Sequence, residues 1–374
     1  MKNSVLDSAS AVRAPTKAIV RARREIRDPK VNPENLDSGL PEGRRLTELL
    51  GLGNATAVES ILRSALLDPL ADLTSNRGKR IRAQLVTFSY RLLHDDRPLS
   101  DDAARQCSLG ADAVELIHAG SLVVDDIEDG SPVRRGRPAL HVRYPMPIAL
   151  NAGNWLYFWS FELLKEMGLR QDDLHLAYDR CHRTLLRAHF GQALDLGAKV
   201  DTLAQAAVPE VCRSSMRLKT GALMGFAALL GGAIAQAPEK LLMVLDDFGR
   251  DLGVALQMFD DVGNVTGKCE PAKRFEDLIL SRPSWVWATA ARVSTAESYG
   301  EFVTAVRRLP DAGDLQSWLE AHGLVEQTRA SARIYLDRCF DRLQRRLNTG
   351  GARWSARAYD ELRALGEEIA VAYG

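Results

Sequence analysis

The chain has 374 residues, 46% of them hydrophobic and 26% charged, which is an ordinary composition for a globular protein with a large core. Lysine plus arginine and aspartate plus glutamate each number 49, so the chain lacks the basic excess of a nucleic-acid-binding protein. Five scattered cysteines without a CxxC pair argue against a disulfide framework or a zinc site and favour the cytoplasm. Neither a signal peptide nor a membrane-spanning segment is predicted.

Hydrophobic patterning divides the chain into two regions. Residues 1–42 are polar, contain four prolines and have little to bury, which predicts a flexible leader. Farther along, apolar residues recur at helical spacing, as at Leu46, Leu49 and Leu50, almost to the C-terminus. We therefore predict an all-α fold with one helical domain, residues 43–374. The most apolar run, residues 221–237, is predicted to be a buried core helix.

A basic segment, Gly78-Lys79-Arg80-Ile81-Arg82, is predicted to start a helix. Lys79 and Arg82 are three residues apart, so they can bind one anion from the same helix face near its N-terminus. His118 lies seven residues before Asp125, on the same face of a later helix. For this histidine, phosphate binding and simple packing both stay open.

The first acidic cluster ends a predicted helix, AVELIHAGSLVVDDIED, over residues 113–129. Asp125 and Asp129 are four residues apart and project from one face, while Asp126 lies beside them. Like charges at this spacing destabilise a helix by about 0.2–0.5 kcal/mol per pair. Carboxylate oxygens suit Mg²⁺, which completes its coordination with water and phosphate oxygens. A magnesium site and a solvated helix end are the two interpretations.

A loop rich in glycine and proline follows, residues 130–138, and it carries Arg134, Arg135 and Arg137. The planar guanidinium group matches phosphate oxygens in pairs, although these arginines can equally pair with nearby acids. Later, HFGQALDL (residues 189–196) and KTG (residues 219–221) place polar groups within apolar helices. Buried lysine, glutamine and threonine need partners, and a phosphate oxygen is one.

The second acidic cluster, Asp260-Asp261, again follows an apolar run, GVALQMFDDVGN, with Gln257 one turn before Asp261. Acids near a helix C-terminus are unfavourable for the helix dipole, so two such clusters are hard to explain as solubility devices. If they face each other across a cavity, they can hold several Mg²⁺ ions around one diphosphate. Lys273, Asp277 and Arg282 follow in KRFEDLILSRPSW.

Together these motifs resemble the trans-isoprenyl diphosphate synthases, the polyprenyl synthetase family, from about residue 45 to the C-terminus. The motifs occur in the family's order: GKRIR, ELIHAGSLVVDDIED, RRGRPALH, GQALDL, KTG, QMFDD and K-x₃-D-x₄-R-x-SW. The resemblance implies one bundle of long helices around a deep central cavity, assembled as a homodimer. It also implies Mg²⁺-dependent condensation of an allylic diphosphate with isopentenyl diphosphate.

The resemblance also implies roles for individual residues. Three Mg²⁺ ions would be held from two walls by Asp125, Asp126, Asp129, Asp260 and, with them, Asp261. The allylic diphosphate would be bound by Arg134, Lys219, Lys273 and Arg282. Isopentenyl diphosphate would be bound by Lys79, Arg82, His118 and Arg135. Thr220 and Gln257 would lie beside the reacting carbons and, with Asp125, Asp126, Asp129, Arg134, Lys219 and Asp260, make up the predicted catalytic residues.

Some positions depart from the family pattern. Asn264 stands where the second acidic motif ends in aspartate, and Arg282 replaces a lysine. Because of Asn264, a terpene synthase of the same fold, which ionises and cyclises an allylic diphosphate, stays open as an alternative. A non-catalytic regulatory subunit of a prenyl synthase is the second alternative.

Product length is expected to follow from the depth of the cavity. Gly120 and Ser121, five and four residues before Asp125, are small, which in this family leaves room for a longer chain. We therefore expect a C20 product, with C15 second. The floor of the cavity is assigned to Ile117 and Val114, one and two turns farther down, and the next helix is expected to crowd it with Trp155, Phe158 and Trp159.

Overall fold

The structure is a computed structural model that describes residues 40–373, except residues 42, 52–55, 76–77, 95–97, 269–270 and 351–352. The predicted leader lies outside the described residues apart from residues 40 and 41, so its boundary stays a prediction. The described helices are α1 (Gly43–Leu50), α2 (Thr56–Leu62), α3 (Asp68–Ser75), α4 (Ile81–Leu93), α5 (Asp101–Glu128), α6 (Leu140–Arg143), α7 (Met146–Glu166), α8 (Gln171–Gly197), α9 (Val208–Met216), α10 (Ala222–Ile234), α11 (Glu239–Thr266), α12 (Glu276–Ile279), α13 (Trp285–Val293), α14 (Ala296–Val306), α15 (Gly313–Ala321), α16 (Leu324–Thr349) and α17 (Ala356–Tyr373).

Shorter elements join these helices. Two π-helical segments, Arg63–Leu67 and Arg217–Gly221, link α2 to α3 and α9 to α10. Two-residue strands, β1 (Val133–Arg134) and β2 (Arg137–Pro138), pair antiparallel with Val133 opposite Pro138. Three 3₁₀ turns complete the described elements: Val200–Thr202, Gln205–Ala207 and Pro271–Lys273. The predicted all-α class is confirmed.

The bundle is built around α10. Every residue of this helix is buried, and it packs against α4, α5, α8 and α11. A helix that is apolar on all sides can only be stable in a protein core or a membrane. The prediction of a buried core helix for this run is therefore confirmed.

Among the described residues, one helix is long and apolar enough by composition to cross a membrane. It is α5, and 61% of its most apolar window is buried inside the fold. Its packing against α7 and its acidic C-terminal end are typical of a core helix that leads to a polar site.

The ends of α5 and α11 set the position of the acidic clusters. The side chain of Ser100 caps the N-terminus of α5, and the helix ends at Glu128, directly after Asp125 and Asp126. Helix α11 continues past its acidic pair to Thr266 and is closed by Gly267, whose φ of +73° suits a glycine cap. Both clusters therefore lie in the last turns of 28-residue helices.

Candidate active site

A cavity of about 1320 Å³ is lined by the C-terminal ends of α5 and α11 and by α8 and the π-helical segment Arg217–Gly221. Apolar side chains of Ile117, Leu185, Met216 and Leu223 contribute to its lining. All predicted site residues except Asp126 line this cavity: Lys79, Arg82, His118, Asp125, Asp129, Arg134, Arg135, Lys219, Thr220, Gln257, Asp260, Asp261, Lys273 and Arg282. The two acidic clusters, 135 residues apart in sequence, thus share one cavity.

Asp125 is the centre of the first acidic wall. Lys219 Nζ donates to Asp125 Oδ1 at 2.9 Å and to Asp195 Oδ2 at 2.8 Å. Gln192 Nε2 donates to Asp125 Oδ1 at 2.9 Å and to Glu128 Oε2 at 2.6 Å. Burial alone raises the pKa of Asp125, but the charge and hydrogen bond of Lys219 hold that pKa below its usual range. Asp125 is therefore an ionised carboxylate beside a cation.

Asp126 and Asp129 have arginine partners of their own. Asp126 is 3% exposed, and Arg134 Nε donates to its two oxygens at 2.8 and 3.1 Å. Asp129 pairs with Arg282, whose other guanidinium nitrogen donates to the carbonyl of Asp195 at 2.9 Å. Burial raises the pKa of both carboxyl groups despite these arginines. Asp126 fixes Arg134 from outside the cavity lining, whereas Asp129 faces the cavity.

The second acidic wall contains a buried carboxylate, Asp261, which is 2% exposed. Asp261 accepts hydrogen bonds from Gln257 Nε2 at 2.9 Å and from the backbone N–H of Trp285 at 2.5 Å. Burial, reinforced by the nearby Asp260, raises the pKa of Asp261 to about 7. Burial raises the pKa of Asp277 well above its usual range, and the negative charges of Asp261 and Asp260 raise it further. This concentration of carboxylates is an environment that favours binding of cations.

The π-helical segment is bonded to both walls, to the first through Lys219 and to the second through a hydrogen-bonded chain that starts at Thr220. Thr220 Oγ1 donates to Gln257 Oε1 at 2.8 Å, and Gln257 in turn donates to Asp261. Gly191 of α8 permits this arrangement, because a Cβ at that position would lie 2.3 Å from the backbone nitrogen of Lys219. π-Helical segments within α-helices occur frequently at functional sites. Here the segment brings Lys219 and Thr220 to the cavity.

The strands β1 and β2 form a hairpin that presents the arginine loop. Its turn is Arg135-Gly136, and both residues have positive φ values, +52° and +72°, as a type I′ turn requires. Arg135 lines the cavity with Arg82 and His118. Burial lowers the pKa of His118 well below its usual value, and the charges of Arg82 and Arg135 lower it further. His118 is thus a neutral side chain in a cationic surrounding that suits an anion.

The predicted helical placement of Lys79 is wrong. Helix α4 starts at Ile81, and Arg80 before it has a φ of +50° and pairs with Asp112 at 2.6 Å. The backbone N–H of Ala83 donates to Glu115 Oε1 at 3.1 Å, so a carboxylate from α5 occupies part of this helix N-terminus. Lys79 and Arg82 still line the same cavity, with Lys79 in the segment before the helix.

Part of the predicted cavity floor is also wrong. Phe158 is 72% exposed, Trp155 stacks on Trp159, and none of the three aromatic residues lines the cavity. Val114 is buried elsewhere in the core. Gly120 faces α7, since a Cβ there would lie 2.6 Å from the carbonyl oxygen of Gly153. One and two turns before Asp125, the residues of α5 that line the cavity are Ser121 and Ile117, and Tyr157 of α7 lines it with them.

The donor set fits magnesium bound together with a diphosphate. Among the described residues, no three acidic, histidine or cysteine side chains group closely enough to hold a metal by themselves. Mg²⁺ needs only one or two carboxylates when substrate oxygens and water complete its octahedron. The amide of Asn264 donates to the carbonyl of Lys273 at 3.0 Å, which leaves its buried Oδ1 without a partner at the cavity wall. That oxygen is an acceptor suited to a metal-bound water.

Three residues of the site were not among the predicted site residues. Gln192 and Asp195, which hold Asp125 and Lys219, belong to the GQALDL segment, whose buried polar residues were the available signal. Asp277, in the segment after the second acidic cluster, adds a further carboxylate to the cavity lining. Nothing in their spacing alone identifies their partners.

An all-helical bundle with an apolar cavity between two acidic helix ends and a cationic rim defines the isoprenoid synthase class of proteins. The family model for polyprenyl synthetase matches residues 63–321. The chain belongs to the polyprenyl synthetase family. This confirms the resemblance inferred from the order of the motifs.

Relatives and solved structures agree with this assignment. A geranylgeranyl diphosphate synthase of Sulfolobus acidocaldarius is 33% identical over 198 residues, which are 52% of this chain and 56% of the relative. The chain therefore spans little more than half the length of such curated relatives. The geranylgeranyl pyrophosphate synthetase of Pyrococcus horikoshii Ot3 has the same fold, with a TM-score of 0.70, 21% identity and coverage of 95% of this chain and 98% of that one. A geranylgeranyl pyrophosphate synthase from Corynebacterium glutamicum, complexed with isoprenyl diphosphate and magnesium, has a TM-score of 0.66 at 22% identity and covers 81% of this chain and 90% of its own.

Proposed function

We propose that this protein is a Mg²⁺-dependent prenyltransferase that condenses an allylic diphosphate with isopentenyl diphosphate to give a longer trans-prenyl diphosphate. The observation that carries the proposal is the shared cavity. Asp125 and Asp260 line it from two helices, next to a separate cationic group formed by Lys79, Arg82 and Arg135. Two anionic substrates need two such cationic sites, and the names of the relatives support this substrate class.

The proposed chemistry follows from the charges around the cavity. Asp125, Asp129 and Asp260 would hold Mg²⁺, which would neutralise the negative charge of the leaving diphosphate. Lys219 and Arg134 both lie beside Asp125 and would bind the diphosphate oxygens as fixed positive charges. Thr220 and Gln257 would direct oxygen atoms towards the positive charge on the allylic carbon. The departed diphosphate would take up the proton that is lost on coupling.

The alternative of a cyclising terpene synthase rests on Asn264. Its amide keeps one acceptor oxygen, Oδ1, but has an uncharged NH₂ group in place of the second carboxylate oxygen, which reduces the negative charge of the second wall. Against this alternative stand Lys79, Arg82 and His118, because a cyclase has no need of a binding site for isopentenyl diphosphate. A non-catalytic regulatory subunit is disfavoured because both acidic walls and both cationic groups are present in one cavity.

The function is tested with purified full-length protein and Mg²⁺. Dimethylallyl, geranyl and farnesyl diphosphate are each supplied with and without isopentenyl diphosphate, and products are identified by mass. A longer diphosphate that forms only with both substrates, and not after chelation of Mg²⁺, is the expected result. A hydrocarbon formed without isopentenyl diphosphate would show that the protein is a cyclase. If no product forms from any substrate, the non-catalytic regulatory subunit is the remaining interpretation.

Product length is predicted to depend on Ser121, not on Gly120. Ser121 lines the cavity one turn below Asp125, so Ser121→Phe should shorten the main product by at least one five-carbon unit from the proposed C20. Gly120→Ala should lower the melting temperature without changing the product, because its Cβ would meet the backbone of Gly153. Product masses and thermal unfolding of the two variants check this. An unchanged product from Ser121→Phe would contradict the cavity assignment.

We also propose a homodimer formed through the outer face of α7 and α8. Phe158 and Phe190 are 72% and 65% exposed on adjacent helices, next to Tyr157 and His189, whose rings touch edge to face at 5.7 Å. Large aromatic residues exposed to solvent on neighbouring helices are typical of interaction surfaces. Residence in the cytoplasm stays a prediction from the unpaired cysteines.

Disruption of this face should give a monomer. The double substitution Phe158→Asp with Phe190→Asp is expected to halve the mass measured by light scattering, because four carboxylates would meet across a symmetric interface. Ile334→Asp, at a 51% exposed position on α16, serves as the control and should leave the mass unchanged. A wild-type protein that is already monomeric, or a double variant that stays dimeric, would contradict the assignment.

A further inference from the structure

The π-helical segment Arg217–Gly221 is held from two sides. On the cavity side, Lys219 is bound by Asp125 and Asp195, and Thr220 by Gln257. π-Helical geometry is rare and less favourable than the α-helix, so the surrounding structure must keep it in place. The cavity-side contacts cannot serve this purpose alone, because in the proposed reaction the same side chains must bind substrate.

The outer side of the segment is fixed by a buried carboxylate of α11. Asp251 is 3% exposed and accepts from Arg217 Nη1 at 2.8 Å. The hydroxyl of Tyr335 donates to the same oxygen at 3.1 Å, and Arg342 pairs with the other oxygen. One carboxylate therefore joins the π-helical segment, through α11, to two residues of α16.

The segment and α11 are also in direct backbone contact. A Cβ at Gly253 would lie 2.8 Å from the Cα of Gly221, so these backbones are packed without intervening side chains. Asp251 lies two residues before Gly253 on α11. Loss of the Arg217–Asp251 bond should therefore shift the π-helical segment directly, because no side chain lies between the two backbones. The same helix carries Gln257, Asp260 and Asp261 farther along.

We propose that Asp251 is a positioning residue, which fixes the rotation of the π-helical segment so that Lys219 and Thr220 face the cavity in the geometry needed to bind the allylic diphosphate. The substrate in this role, an allylic diphosphate, rests on the proposed function. The ordering of the π-helical segment by Asp251 does not depend on it. Asp251 touches no substrate site, since it lies outside the cavity lining. Arg217, Tyr335 and Arg342 are the partners through which it acts.

The chain offers a control one turn away on the same two helices, with a carboxylate side chain that is 36% exposed where that of Asp251 is 5% exposed. Asp247 of α11 pairs with Arg346 of α16 at 2.7 Å and makes no described bond to the π-helical segment. Asp251→Asn and Asp247→Asn thus remove the same charge from the same helix pair, but only the first loosens the segment. Arg217→Met breaks the bond from the other end, at a side chain that is 42% exposed.

The test compares steady-state kinetics of the full-length variants. Asp251→Asn and Arg217→Met are expected to lower kcat/KM for the allylic diphosphate by about tenfold to hundredfold, since a displacement of about 1 Å at a reacting group costs up to that much. KM for isopentenyl diphosphate should stay unchanged, because Lys79 and Arg82 line a different part of the cavity, before and at the start of α4. Asp247→Asn should behave as the wild type in both constants.

Hydrogen exchange of residues 216–222 in the substrate-free protein gives a second readout that does not depend on activity. Faster exchange there in Asp251→Asn and Arg217→Met, but not in Asp247→Asn, supports the inference even if the wild type transfers no prenyl group and the proposed function fails. Equal exchange and equal kinetics in Asp251→Asn and Asp247→Asn would overturn it. If Asp251→Asn does not fold, the same comparison is decided by Arg217→Met.

Discussion

Asp125→Asn is expected to lower kcat for prenyl transfer by at least about 10³-fold, the largest effect of any single substitution in this protein. Asp125 is the one carboxylate of the first wall that both faces the cavity and is held ionised by a cation, Lys219. Asparagine keeps the size and can still accept from Gln192, so the fold should persist. What is lost is the negative charge that attracts Mg²⁺ to the diphosphate.

The measurement is the steady-state rate of product formation at saturating substrates over a range of Mg²⁺ concentrations. Asp102→Asn, an exposed position in the first turn of the same helix, is the control and should retain wild-type activity. Asp126→Asn should have its effect through Arg134, to which Asp126 is bound, and not through the Mg²⁺ dependence. If Asp125→Asn turned over at the wild-type rate with unchanged Mg²⁺ dependence, the first acidic wall would have no role in the reaction.

The sequence predicted the fold class and most of the site for identifiable physical reasons. Helical periodicity marks α5 and α11, and an acidic pair at the end of each apolar run is electrostatically unfavourable unless a cation is bound. The seven motifs occur in the order of the polyprenyl synthetase family, and this resemblance predicted that both helix ends belong to one site. Local spacing left a magnesium site and a solvated helix end both open for the first cluster, and the resemblance to the family supplied the roles of the individual residues.

Features that depend on packing between distant segments were not predictable in the same way. Gly120 and Ser121 are equally small, and only the approach of Gly153 decides that Ser121 faces the cavity. The bond between Asp125 and Lys219 joins residues 94 positions apart. Lys79 lies outside its predicted helix because Asp112 holds Arg80 in a left-handed conformation. In each case the deciding partner lies on another element.

Lys219→Met is the second substitution with a large expected effect, and it should change stability as well as activity. Methionine leaves Asp125 and Asp195 near each other in a buried site without their shared cation. Removing one partner of a fully buried ion pair costs about 3 kcal/mol or more. Because the Lys219 side chain is 31% exposed, solvent screens part of this interaction, and the free energy of unfolding at neutral pH should fall by about 1–3 kcal/mol. Activity should fall by about 10²–10³-fold, because a fixed positive charge on the diphosphate is lost.

The stability lost in Lys219→Met should depend on pH, and the direction follows from the pKa of Asp125. In the wild type the folded-state pKa of Asp125 is lowered, so its contribution to stability is complete above the unfolded-state pKa and is lost as the pH falls through the folded-state value. Without Lys219, burial raises the folded-state pKa, and stability is instead lost as the pH rises. The difference in unfolding free energy between wild type and Lys219→Met should therefore grow from about pH 4 to neutral pH.

A second substitution separates the two consequences of losing Lys219. Lys219→Met with Asp195→Asn removes one of the two unpaired carboxylates, so it should recover part of the lost stability at neutral pH. Activity should stay low, because no cation is restored next to Asp125. Denaturant unfolding between pH 4 and pH 8 in metal-free buffer, together with turnover assays, measures both quantities. A double variant that regains turnover in parallel with stability would mean that Lys219 acts only by supporting the fold, since its charge on the diphosphate would then be dispensable.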